Sequence, residues 1–132
     1  MTKILILNGP GLPATPSDDI KDAAQLAGVT VEYVQSDKLT KLFTQMSATD
    51  ADAIIFNPAK DITASAELYR RAVEAMSTCA KPLTEVHLTN IYAAETVPHS
   101  NRQSAKTTGI ICGLGDFGYV LAINAIAENL GA

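Results

Sequence analysis

Read from its amino end, the chain alternates short, dense apolar runs with longer stretches in which apolar residues recur every three or four positions. The runs are "KILILN" (3–8), "VTVEYVQ" (29–35), "AIIFNP" (53–58), "LTEVHL" (83–88) and "GIICGLG" (109–115). Several are almost wholly apolar, as strands are when a parallel sheet is covered on both faces. The stretches between them read as helices. Ser17 is placed to cap "DDIKDAAQLA", Asp18 and Asp19 suit the positive end of that helix, and Gly28 stands where it would stop. A weaker helical pattern covers residues 38–47, and a stronger one covers 65–76, where Leu68, Ala72 and Met76 recur every four residues. The last begins near Asp116, sets Phe117, Leu121 and Ala125 on one side and ends at Gly131. The polar segment from Tyr92 to Lys106 reads as a loop with room for a short helical turn.

Five strands alternating with helices imply right-handed crossovers and a doubly wound α/β fold. The expected architecture is a flavodoxin-like three-layer sandwich around a five-stranded parallel sheet of order 2-1-3-4-5. With 132 residues and no visible linker, residues 1–132 are expected to form a single domain.

Bulk properties narrow the function classes. The net charge is −4 with the charges scattered, so no basic stripe points to nucleic acid or an anionic membrane. The longest apolar stretch, "YVLAINAIA", is too short to span a bilayer and contains Asn124. "MTKILILNGP" lacks the organisation of a secretion signal, so a cytoplasmic protein is expected. Cys79 and Cys112 lack metal-ligand spacing and read as small reduced hydrophobes. Two histidines without acidic ligand spacing make no metal site, and no cofactor is implied.

In doubly wound sheets, ligands bind beyond the carboxyl ends of the strands. Asn8, Asn57, Asp61, His87, Thr89 and Asn90 gather at those ends. Strand alternation puts Glu85, His87 and Thr89 on one face and Thr84, Val86 and Leu88 on the other. A carboxylate that accepts one ring N–H sets the tautomer of an imidazole and raises the basicity of its second nitrogen, which suits a general acid or base. The same pair is equally what a hydrogen-bonded polar clasp at a strand end looks like. "GLGDFG" (113–118) matches G-x-G-x-x-G, but it opens the last βα unit, no later strand carries an acid for a ribose, and Asp116 would face any phosphate. Glycines for a tight turn and close helix packing explain it better, although backbone N–H groups there suit a small carboxylate. Cys112 has no base near it in the sequence and reads as a buried small side chain. Ser17 and Ser65 read as helix caps, and Arg70 and Arg71 as a solvated helix face.

Four blocks carry a family resemblance: "ILILNGP", "AIIFNPA", "EVHLTNIYA" and "GIICGLGDFGYVLAINAIAE". In order and spacing, from Lys3 to about Leu130, the chain resembles the type II 3-dehydroquinate dehydratases. The resemblance implies elimination of water from 3-dehydroquinate to 3-dehydroshikimate through an enolate, a place in the shikimate pathway of aromatic amino-acid biosynthesis, and self-association as trimers or a dodecamer. It assigns His87 as the general acid, Glu85 as the carboxylate that orients it and Asn57 as the asparagine at the substrate. Thr89 falls where the family has a serine for the substrate carboxylate, and Asn90 and Asn8 are its neighbours at the site.

The chain departs from the family at the proton-abstracting half. Gly11 stands where the family has an asparagine near the enolate oxygen, and "GLPATP" replaces a long lid that carries an arginine and the tyrosine base. The family's histidine and aspartate after the third strand correspond to Thr63 and Arg70, and an arginine after the fourth corresponds to Pro98. Positioned acid–base groups contribute roughly 10²–10⁴-fold each, so weak, altered or absent dehydration is expected. Substitute bases to consider are Asp61, Tyr69, Tyr92 or a group from another chain. The alternative is a non-catalytic or changed-substrate paralogue that binds a small cyclic carboxylate in the same pocket.

Overall fold

The structure, a computed structural model, describes residues 1–59, 65–90 and 108–131. Five strands, β1 (Lys3–Asn8), β2 (Thr30–Gln35), β3 (Ala53–Asn57), β4 (Leu83–His87) and β5 (Gly109–Cys112), form one sheet. All four pairings are parallel and the order is β2-β1-β3-β4-β5, which is the flavodoxin-like arrangement expected from the alternation. Among the described residues, four helices accompany them: α1 (Asp18–Ala27), α2 (Leu39–Ala48), α3 (Ala66–Thr78) and α4 (Phe117–Asn129). None is long and apolar enough to cross a membrane.

The pleat divides the core into two halves. Ile4, Ile6, Ala53, Ile55 and Val86 face α1 and α4, where they meet Ile20, Ala24, Ala122 and Ile123. Leu5, Leu7, Ile54, Phe56 and Leu83 face α2 and α3, where they meet Leu42, Phe43, Ala72 and Met76. Because side chains alternate strictly along each strand, this division also determines on which side each polar residue at a strand end emerges.

Helix starts follow the serines. Ser17 Oγ accepts the Ile20 N–H at 3.3 Å, and Ser65 Oγ accepts the Leu68 N–H at 3.3 Å, each satisfying an otherwise orphaned donor. Arg70 pairs with Glu74 and Arg71 with Glu67 along the exposed side of α3. The stripe expected on the last helix is corrected. Phe117 is 57% exposed and Ala125 is exposed, whereas Tyr119, Ala122, Ile123 and Ile126 are buried. The helix is apolar nearly all round, so its pattern permits either stripe. Docking is decided by Gly118, where an added Cβ would lie 3.1 Å from Val86 Cγ1 and 3.4 Å from Ile111 Cγ2.

The β1 and β3 ends are drawn together at Gly9, whose N–H donates to the Asn57 carbonyl at 2.8 Å. A Cβ at Gly9 would stand 2.3 Å from the Pro58 carbonyl oxygen. Backbone on both sides leaves nothing flexible to yield. Gly9→Ala is therefore expected to lower stability by about 1–3 kcal/mol, measured by urea unfolding. Gly109→Ala, built into open space, should change it by less than about 0.5 kcal/mol.

Candidate functional site

The carboxyl ends of β1, β3, β4 and β5 form a rim, and the pleat places its polar residues in two groups. Glu85 and His87 share the parity of Leu83 and emerge on the α2/α3 side. Asn8 and Asn57 share the parity of Ile4 and Ala53, emerge on the α1/α4 side and are register partners. His87 and Asn57, expected together at one ligand, thus sit on opposite sides of the sheet and can meet it only over the rim.

Glu85 is fully buried, and its Oε1 is hydrogen bonded to His87 Nε2. A buried carboxylate needs such a partner, because its desolvation is otherwise uncompensated. The pairing draws the ring down onto the strand, and His87 is only 8% exposed. With Nε2 on the carboxylate, Nδ1 is the nitrogen left for chemistry. Among the described residues it has no hydrogen bond. A neutral ring offers Nδ1 as an acceptor, and a protonated ring offers it as a donor.

On the other side, a chain of hydrogen bonds runs through two tyrosines that the sequence reading did not place at the rim. Tyr33 Oη donates to the Pro13 carbonyl at 2.7 Å, and Asn8 Nδ2 donates to Tyr33 Oη at 2.8 Å. Tyr119 Oη donates to Asn8 Oδ1 at 2.9 Å and accepts from Asn57 Nδ2 at 2.9 Å. Asn57 Oδ1 accepts the Ala59 N–H at 2.9 Å, and Ala59 lies in the left-handed region at φ 64°. Both asparagines are almost fully buried with their amides engaged, and among the described residues each has one N–H that no hydrogen bond uses. Burial pushes the Tyr119 phenol up to about 12, and burial likewise raises that of Tyr33. Neither phenol is therefore disposed to ionise as a base. The signal for these residues was the two asparagines ending adjacent strands: buried amides require partners, and a tyrosine on the covering helix supplies one.

The third part of the rim is the β4–β5 edge. His87 and Cys112 are register partners, so the imidazole that Cys112 lacked in the sequence lies on the neighbouring strand. Cys112 Sγ lies 3.8 Å from Asn90 Oδ1. Thr89 and Asn90 are exposed beyond the end of β4. "GLGDFG" serves packing and turning. Gly113 (φ 84°) and Gly115 (φ 57°) take left-handed conformations, and their N–H groups bind the carbonyls of His87 and Leu88 at 3.2 and 3.0 Å. Tyr69 is half-buried in the first turn of α3. Asp61, Thr63, Tyr92 and Pro98 lie outside the described residues. Among the described residues, no group of three His, Cys, Asp or Glu side chains is arranged to hold a metal ion.

The family model for dehydroquinase class II matches residues 2–127. The chain is 36% identical to a 3-dehydroquinate dehydratase of Shewanella frigidimarina, over 97% of this chain and 94% of that protein. It is 38% identical to one of Shewanella putrefaciens, over 97% and 96%. The type II dehydroquinase of Propionibacterium acnes superposes with a TM-score of 0.79 at 29% identity, covering 97% of both chains. A 3-dehydroquinate dehydratase-like protein of Bifidobacterium longum does so with a TM-score of 0.64 at 26% identity.

The Tyr119 phenol makes a pH prediction. Its folded value lies above that of an exposed tyrosine, so the folded chain holds this proton more tightly than the unfolded chain. The resulting stability is complete below pH ~10 and is lost as pH rises through about 12, amounting to about 2–3 kcal/mol. Urea titrations at successive alkaline pH values should show this decline, and Tyr119→Phe should flatten that part of it.

Proposed function

From the premise that the chain belongs to the dehydroquinase class II family, we propose that it binds 3-dehydroquinate at the rim but dehydrates it far more slowly than a complete site would. The observation that carries this reading is the buried Glu85–His87 pair at the end of β4. Elimination of water takes a proton from the carbon beside the ketone, giving an enolate. As the enolate collapses, the carbon–hydroxyl bond breaks and the departing oxygen takes a proton. Protonated His87, steered through Nε2 by Glu85, delivers that proton from Nδ1. The remaining Asn57 N–H, the Thr89 hydroxyl and Asn90 are assigned to substrate binding.

The slow step is proton removal. Residues 9–17 contain neither tyrosine nor arginine, and the two rim phenols are neutral and hydrogen bonded. The alignments with the Shewanella proteins run over 143 positions, more than the chain's 132 residues, so those proteins have segments that this chain lacks. A shortened lid is the deletion this reading assigns. The same reading includes a cytoplasmic place in aromatic amino-acid biosynthesis and self-association as trimers or a dodecamer.

With purified protein and 3-dehydroquinate, the conjugated product's absorbance should appear at least about 10²-fold more slowly than the ~1–10³ s⁻¹ of ordinary enzymes. His87→Ala should abolish it. Ordinary turnover would overturn the impaired-base assignment. Substrate binding by calorimetry with no turnover, and His87→Ala affecting stability alone, would select the binding-only paralogue. Because Cys112 is the register partner of His87, bound 3-dehydroquinate should slow its alkylation by iodoacetamide several-fold while leaving Cys79, at the end of α3, unprotected. Equal protection of both thiols would remove the ligand from this rim.

A further inference from the structure

The hydrogen bonds on the β2 side join the 9–13 loop to Asn57, and dehydration chemistry does not account for them. Three side chains reach the loop from β2 and the turn after it. Tyr33 Oη holds the Pro13 carbonyl, Gln35 Nε2 donates to the Gly9 carbonyl at 3.2 Å, and Asp37 Oδ1 accepts the Gly11 N–H at 3.2 Å. Gln35 Nε2 also donates to Asp37 Oδ1 at 3.0 Å, so two of the three clamps brace each other. β2 is the outer strand on the side of the sheet away from β4.

From Tyr33 inward, the direction of every bond is determined. A carbonyl can only accept, so Tyr33 must donate its hydrogen to Pro13. Its oxygen then receives the Asn8 amide N–H, which leaves Asn8 Oδ1 as the acceptor for Tyr119. Tyr119, having donated, accepts from Asn57 Nδ2, and the Ala59 N–H closes the series on Asn57 Oδ1. Flipping either amide would set donor against donor at one of its two contacts and acceptor against acceptor at the other. The loop carbonyl at Pro13 and the Ala59 N–H thus hold the series from its two ends, four side chains apart, in one consistent direction.

We infer that Tyr33 and Tyr119 are positioning residues, which clamp the 9–13 loop to the β2 edge as a fixed rim and tie its docking to the placement of the Asn57 amide.

The test uses Tyr33→Phe, which removes one oxygen from a half-buried side chain on an edge strand. Side-chain amide resonances of Asn8 and Asn57 and backbone amide exchange in the loop are read by ¹⁵N NMR. In Tyr33→Phe the Gly11 and Leu12 amides should exchange about five- to tenfold faster, as loss of one anchoring hydrogen bond implies. The Asn57 side-chain resonances should shift although Tyr33 does not touch Asn57. Gln35→Ala is the comparison. It should speed loop exchange as well, yet leave the Asn57 amide in place because the tyrosine series stays intact. An Asn57 amide unmoved in Tyr33→Phe would overturn the coupling. Unchanged loop exchange in both variants would overturn the clamp. Neither readout involves 3-dehydroquinate, so its failure is distinct from failure of the proposed activity.

Discussion

The Tyr119 hydroxyl lies between two asparagines that end adjacent, fully buried strands. Unsatisfied amides there would each cost about 1–3 kcal/mol. The phenol satisfies both at once and ties α4 to β1 and β3. The rim inherits its shape from that contact. With Tyr119 seated, Asn8 is turned toward Tyr33, Tyr33 is turned toward Pro13, and the loop after β1 lies along the edge strand.

A second buried polar group organises the opposite side. Glu85, enclosed by the α2/α3 half of the core, holds His87 against β4 through Nε2. The two groups do not touch through the sheet, because the pleat directs them to opposite faces. A ligand that uses both must lie across the strand ends, which is where doubly wound sheets bind small molecules.

Under the proposed function, this geometry lets family membership coexist with impaired dehydration. The carboxylate–imidazole pair and the strand-end asparagine are built into the sheet itself. The loop after β1, to which the proposal assigns the missing base, is of a kind where insertion and deletion cost little stability. Tyrosines are present at the rim, but burial keeps their phenols protonated, so they organise structure in place of removing protons. In that proposal, proton donation and proton removal depend on different parts of the molecule, one of which can change while the other stays.

Much of this was legible in the residues alone. Apolar runs and helical periodicity determined the strand count, the parallel sheet and its order, since strands covered on both faces have few alternatives. The serine caps of α1 and α3 and the i, i+2 pairing of Glu85 with His87 are local relations, and local relations are what a sequence encodes directly. Tertiary structure decided the rest. It chose the Tyr119 stripe of α4 over the Phe117 stripe through the close approach at Gly118. It set Asn57 and His87 on opposite sides of the rim, and it made Cys112 a neighbour of His87 across 25 residues of chain. It also brought Tyr33 and Tyr119 to Asn8. Each of these depends on register and docking between distant segments, and the energy that selects among such arrangements is absent until the elements pack.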